Sequence, residues 1–338
     1  MYNEEIKKQY LKYIGIANNT FSVYSGIFEK VSRYEEMFGK DLCSFSLEEF
    51  EQCVNGIGVI STHGLHSLVS NFKRYVNWVC NNGLSKLEPN VALLSIIPSE
   101  VADATPNILK SFVKNPEHLK IVLDSIDEFN ETPASFMGVN KIRRVFIWLI
   151  YFGVVQGDLE QIKEKDIDIN NQRITYKSQY ITIDALALQD FKDLLSMKTL
   201  MTRKTSKKVI VMIPRIEGEL LLRGVTNPVF KTLYNNYGAL FNEARKCNPD
   251  IIPLTYRRVR LSGIFYNAYC VEIEKGEAPR FADQAKAELE LTDNWKRLSK
   301  AARAERIYRR SYNMRIDYSN WKKAFNLKGM DLKNNNRF

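Results

Sequence analysis

The chain has 338 residues, of which 45% are apolar and 12% aromatic, enough to bury more than one core and too many for a disordered, solvating segment. Lys and Arg exceed Asp and Glu by 49 to 39, and the resulting net charge of +10 admits a polyanionic partner as readily as a merely soluble basic protein. Five widely spaced cysteines without a CxxC pair argue against a disulfide framework and against a zinc knuckle, and fit a reducing cytosol. The first segment, "MYNEEIKKQY", lacks the apolar core of a signal peptide. No stretch approaches the roughly 18 uninterrupted apolar residues of a membrane span, so a cytoplasmic protein without a membrane partner is expected. "FSVYSGIFEKVSRYEEMFG" carries Val23, Ile27, Val31, Tyr34 and Phe38 at helical spacing, and "SFSLEEFEQCV" opens on a Ser46 to Glu49 capping signal. In Thr62–Asn82 the apolar residues Leu65, Leu68, Val69, Phe72, Tyr75, Val76 and Val79 again recur at helical spacing, with Gly83 as the stop. Residues 1–85 therefore form a small all-helical domain. Lys73 and Arg74 lie off its apolar stripe, either facing DNA or simply solvated. His63 and His66 could share a helix face, but no neighbouring Cys, Asp or Glu completes a metal set, so no metal or other cofactor is expected.

Residues 86–106 hold prolines and no sustained period, as an interdomain linker does. A larger domain follows over 107–325, and 326–338 form a tail. "NILKSFVKNPEHLKIVLDSIDEF" begins its helices, and "NKIRRVFIWLIYFGV" is apolar nearly all round, as a helix buried on every side must be. "RITYKS", "YITID" and "KKVIVMIP" alternate as strands of one small sheet. "TRKTSKK", with Lys207 and Lys208, forms a charged turn that grips a DNA backbone or is only solvated. Further helices are expected near 227–247, 255–272 and 299–324. The histidines end at His118, so imidazole chemistry is excluded from everything beyond it.

Two segments of the larger domain carry a resemblance. "YFGVVQGDLEQIKEKDID" is similar to the "TGLRxSELxxLxxxDID" segment of the tyrosine recombinase (phage integrase) family, with Gly153, Asp158, Leu159, Asp166, Ile167 and Asp168 in register. "IIPLTYRRVRLSGIF" resembles the family's "PHxLRHTFAT" helix start through Pro253 and Arg257, about a hundred residues later, as the pattern requires. The resemblance covers most of residues 1–275. It implies a mainly α fold with a small antiparallel β-sheet in a two-domain tyrosine-recombinase-like architecture: a core-binding, DNA-binding domain and a catalytic-like domain.

In that family a tyrosine attacks a DNA phosphodiester while arginines stabilise the phosphorus and a histidine and a lysine move protons. Here the first arginine falls on Val155 and the histidine on Leu254. Lys177 and Arg257 keep the lysine and the second arginine. No tyrosine stands between Cys270 and Ile307, where the nucleophile is expected. Tyr308, Tyr312 and Tyr318 lie beyond, as displaced nucleophiles or as packed or DNA-facing aromatics. No catalytic residue is therefore assigned. Arg257, Arg258 and Arg260, near a helix start, suit a phosphate unless some pair with the domain's own acids.

The expected function is a sequence-specific repressor on an inactive scaffold, bound to operator sites in double-stranded DNA. More narrowly, the chain resembles the lysogeny repressors of SPbeta-like Bacillus phages, which implies maintenance of lysogeny in a bacterial host cytoplasm, with a homodimer or a phage antirepressor as further partners. An active, divergent integrase is the alternative, and an accessory protein that binds recombinases is a third.

Overall fold

The computed structural model describes residues 2–15, 18–58, 62–98, 108–128, 137–204, 209–252, 254–290 and 294–329. The chain divides into two compact units, Met1–Ile108 and Leu109–Phe338. It is mainly α-helical with little sheet. No helix among the described residues is long and apolar enough to cross a membrane.

The first unit comprises α1 (Glu4–Tyr13), α2 (Asn18–Phe38), α3 (Leu47–Ile57) and α4 (Thr62–Asn82). The apolar stripe of α4 is buried throughout, with Val69, Phe72, Tyr75, Val76 and Val79 closed to solvent. Gly83 takes φ 61°, a left-handed conformation that ends α4 with the Leu84 N–H bonded back to the Val79 carbonyl. At the start of α3 the Ser46 hydroxyl accepts from the Glu49 N–H at 3.2 Å, and the Glu49 carboxylate accepts from the Ser46 N–H at 2.6 Å. That is the reciprocal cap the sequence signals.

Part of the expected linker is not a linker. A 3-10 turn, Val91–Leu94, seats Leu93 and Ile96 in the core of the first unit, and the Asn90 N–H donates to the Cys43 carbonyl at 2.8 Å. Three prolines mask this anchoring, because two apolar residues are enough to hold a segment that has no period.

At the centre of the first unit Lys7 is fully buried. Its ammonium donates to both Glu35 carboxylate oxygens at 2.7 Å and to the Tyr2 carbonyl at 2.6 Å. Asp41 lies 3.6 Å away and accepts from the Tyr75 hydroxyl at 3.0 Å. A buried charge set of this kind ties α1 to α2 only while every member is present.

The second unit is organised around α6 (Met137–Tyr151), whose residues Val145 to Ile150 are all closed to solvent. α5 (Pro116–Glu128) precedes it, and the short α7 (Gln156–Leu159) follows. Arg144 joins three elements, donating to Asp124 and Asp127 of α5 at 2.8 Å and to Asp190 of α8 (Ala185–Ser196) at 2.7 Å. Gly153 ends the α6 segment at φ 93°, and the next N–H, that of Val154, closes onto the Leu149 carbonyl at 3.0 Å.

Two small antiparallel sheets replace the single expected one. β1 (Ile167–Asp168), β2 (Arg173–Tyr176) and β3 (Gln179–Thr182) form one in that order, and β4 (Thr199–Lys204) pairs with β5 (Val209–Pro214) in the other. The "VIVMIP" strand thus takes its partner from the segment just before it, a pairing that closes a short loop and costs little chain entropy. Thr202 to Lys204, expected in a turn, belong to β4, while Lys207 and Lys208 lie outside the described residues.

α9 (Phe230–Cys247), α10 (Tyr256–Lys275) and α12 (Lys300–Ala324) lie close to expectation, and α11 (Ala282–Glu290) is additional. α10 crosses α6 at Gly263, where a Cβ would stand 1.8 Å from the Tyr151 carbonyl oxygen. Phe265 of α10 then meets Phe281, Tyr318 and Trp321, so α10 and α12 share one aromatic cluster.

Two substitutions test these constraints. Lys7→Met leaves Glu35 and Asp41 without their buried cation and is expected to lower the unfolding free energy by about 3–5 kcal/mol in urea titrations. Gly263→Ala forces the α6–α10 backbones apart and is expected to cost about 1–3 kcal/mol, read as an earlier thermal melt of the second unit.

Candidate nucleic-acid interface

The two segments that carry the recombinase resemblance meet in the second unit through a chain of hydrogen bonds. The two-residue turn between β2 and β3 holds Lys177 and Ser178 at φ 49° and 61°, the left-handed pair that a tight hairpin requires. This puts the Lys177 side chain, exposed, at the hairpin tip. Its ammonium sits 2.8 Å from Asp158 of α7, and that hydrogen bond raises the lysine pKa, so its charge is fixed near neutrality. Tyr176 donates its hydroxyl to the same carboxylate and accepts from the Val155 N–H at 3.3 Å. One residue on, the Gln156 N–H donates to the Tyr256 hydroxyl at 3.0 Å. Tyr256 opens α10 and is followed directly by Arg257.

Lys177 and Arg257 are therefore held by one framework, and both are exposed. Arg257 is exposed as a residue, but its guanidinium is partly enclosed among charged neighbours. Desolvation, then the charge of Arg310, lowers its pKa, opposed by Glu288 and Asp317. The positions that the resemblance assigns to the other arginine and the histidine are apolar in side chain and buried. Val155 is 7% exposed and Leu254 3%, and both belong to the hydrophobic interior. Pro253 lies outside the described residues.

The remaining expected contacts separate by burial. Arg258 is 6% exposed and stacks over the Phe112 ring at 4.6 Å, and burial pushes its pKa down to about 10. Arg260 is 5% exposed and donates to Glu288 at 2.8 Å. Both are internal in this structure, the outcome in which arginines at a helix start serve their own domain. The N-terminus of α10 is capped by Thr255, whose hydroxyl accepts from the Arg258 N–H at 3.4 Å. In the first unit Arg74 is exposed and Lys73 half-buried on the polar side of α4.

The three late tyrosines also differ. Tyr318 is fully buried and donates its hydroxyl to Glu272, which in turn accepts from Lys322 at 2.8 Å. Burial and the Glu272 carboxylate push its phenol well above the ordinary value, away from a phenolate. Tyr308 and Tyr312, on the outer side of α12, are 50% and 46% exposed.

Sequence reasoning missed Asp158 as the anchor of Lys177, Tyr176 and Tyr256 as the bridge, and Glu288 and Arg310 as neighbours of Arg257. Tyr176 and Tyr256 each adjoin a cation that was singled out. Glu288 and Arg310 carry no local signal, since they come from two later helices.

His66 is exposed, and His118 accepts the Lys114 N–H at 3.2 Å. Among the described residues no group of His, Cys, Asp and Glu could hold a metal ion.

Residues 1–81 match the family model described as the N-terminal core-binding domain of MrpR. No curated protein matches the chain. Among solved structures, the Tn1549 transposon integrase in complex with circular intermediate DNA is similar at 13% identity and a TM-score of 0.35, over 81% of this chain and 87% of that one. The XerA recombinase is similar at 13% identity and a TM-score of 0.32, over 90% of this chain and 98% of that one.

Arg258 and Arg257 should separate in a thermal melt. Arg258→Ala removes a desolvated guanidinium from the face of Phe112 and is expected to cost about 2 kcal/mol or more. Arg257→Ala is expected to stay within about 0.5 kcal/mol of the parent, as an exposed side chain does.

Proposed function

We propose that this protein is a sequence-specific double-stranded DNA-binding repressor that uses a two-domain, recombinase-like architecture for recognition and does not cut its DNA. The observation that carries the reading is the pairing of exposed Lys177 and Arg257 on one hydrogen-bonded framework, with Val155 and Leu254 packed into the interior beside them. Two cations can hold a phosphate. Without an arginine at 155 and a histidine at 254, phosphodiester cleavage lacks one of its two charge-stabilising arginines and one of its two proton carriers there. The burial of Tyr318 supports the same conclusion.

On this reading Lys177 and Arg257 contact the backbone from the second unit, and Lys73 and Arg74 from the first. Lys207 and Lys208, which fall between β4 and β5 in sequence, add positive charge. Arg258 and Arg260 support the site from behind. Backbone contacts set position and register, and the operator sequence is read by groove contacts. A role in phage lysogeny within a bacterial cytoplasm, a homodimeric form and an antirepressor partner follow from the resemblance to lysogeny repressors.

The second reading is a divergent integrase. The exposure of Tyr308 and Tyr312 favours it, because either phenol is open to an incoming phosphate.

Arg257→Glu tests the first reading. It should weaken binding to every duplex, operator and random alike, and flatten the slope of log affinity against log salt by about one or more, as the loss of a phosphate contact does. Unchanged affinity across sequences would remove Arg257 from the interface.

A further inference from the structure

Behind Arg257 lies a cluster whose charges do not balance. Arg257, Arg258 and Arg310 stand within electrostatic range of one another and of Asp317, and Glu288 lies near Arg257 and pairs with both Arg260 and Arg310. Glu288, on α11, spans two of the arginines. One carboxylate oxygen accepts from Arg260 Nη1 at 2.8 Å, and the other accepts from Arg310 Nε at 2.6 Å.

This arrangement satisfies neither guanidinium well. A carboxylate binds arginine best when both oxygens meet one planar fork, in two parallel hydrogen bonds. Glu288 divides its oxygens between two forks instead. The Nε–H of Arg260 is enclosed and meets no acceptor among the described residues. A buried donor without an acceptor costs free energy comparable to a lost hydrogen bond, and a charged one more.

A phosphodiester would fit better. It carries the same single charge as Glu288, but its two free oxygens project from a tetrahedral phosphorus and can meet the fork of one arginine while a neighbour holds the other side. Arg310 and Glu288 reach solvent at 15% and 18% side-chain exposure, and Arg257 stands open beside them. Glu288 is thus the carboxylate that links the partly exposed Arg310 to the buried Arg260, beside Arg257.

We propose that Glu288 is an internal counter-anion occupying the position of a DNA phosphate, so that tight binding requires phosphate to displace its carboxylate from Arg310 and Arg260. This rests on the DNA-binding reading and deepens it. Its consequence is a threshold. Duplexes that make only backbone contacts must compete with a resident anion, whereas an operator that adds groove contacts wins the exchange. Glu288 thus lowers the affinity of every duplex that makes the exchange by the free energy of displacing one carboxylate.

The test uses the full chain and its Glu288→Gln variant, titrated by fluorescence anisotropy against an operator duplex and a random duplex at several salt concentrations, with a thermal melt as control. Gln keeps the shape and one acceptor oxygen but removes the charge. The variant is expected to bind both duplexes more tightly, the operator by about tenfold, with a salt slope on random DNA steeper by about one phosphate contact. Equal affinities and slopes with an unchanged melt would overturn the proposal, leaving Glu288 a staple between α10 and α12. A loss of affinity at an unchanged melt would overturn it too.

If Glu288→Gln melts early, Glu288→Asp carries the test, since it keeps the charge but draws it back from Arg310. It should show the same changes at smaller size, and their absence would again overturn the proposal. The failure of both proteins to bind either duplex at low salt would sink the DNA reading itself. Normal binding by the parent with no change in the variants would sink this inference alone.

Discussion

The close crossing of α10 over α6 at Gly263 is the constraint on which the candidate interface depends. With no Cβ in the way, α10 lies against the Tyr151 carbonyl, and its first turn comes level with the chain as it leaves α6. The Tyr256 hydroxyl can then take the Gln156 N–H, and Asp158, two residues further, can hold Tyr176 and Lys177. A larger residue at 263 would separate the helices, and the framework joining Lys177 to Arg257 would open. Packing inside the second unit and the placement of its exposed cations are thus one problem with one solution.

The same geometry sorts a run of similar arginines into different tasks. Consecutive positions on α10 turn by about 100°, so Arg257 faces solvent while Arg258 turns onto Phe112 and Arg260 toward Glu288. On the proposed reading Arg257, exposed, makes the first phosphate contact, while Arg258 holds the helix against Phe112 and Arg260 stays behind Glu288. Val155 and Leu254 stand at the positions where the recombinase pattern has charged or titratable groups; both are buried, and Leu254 joins the core cluster of the second unit. On the proposed reading, an apolar side chain at these two places stabilises the scaffold that the remaining cations need.

The sequence makes the periodic elements legible and leaves the unperiodic ones obscure. α4 and its glycine stop, the capping box at Ser46 and the buried Val145–Ile150 run of α6 follow directly from spacing and composition, because each is a local preference that packing reinforces. β4 was hidden, since "TLMTRK" shows no alternation and is a strand only because "VIVMIP" lies within reach of it. The anchoring of Leu93 and Ile96 was hidden for a similar reason: two apolar residues among prolines give no pattern. At the interface, Lys177 and Arg257 were visible through their motifs. The burial that withdraws Arg258 and Arg260, and the acid that binds Arg260 and Arg310, were not, because Glu288 and Arg310 arrive from α11 and α12, a separation that no local pattern spans.

The central claim is that this scaffold recognises DNA without breaking it. The measurement that tests it most directly incubates the full chain with end-labelled duplexes from its own genome, including nicked duplexes that would trap a cleavage intermediate, and resolves the products on native and denaturing gels before and after protease. Discrete, salt-sensitive native complexes whose DNA runs intact and free of protein on the denaturing gel are the predicted result. A protease-sensitive covalent adduct, mapped by mass spectrometry to Tyr308 or Tyr312, would contradict the account and establish a recombinase with a displaced nucleophile.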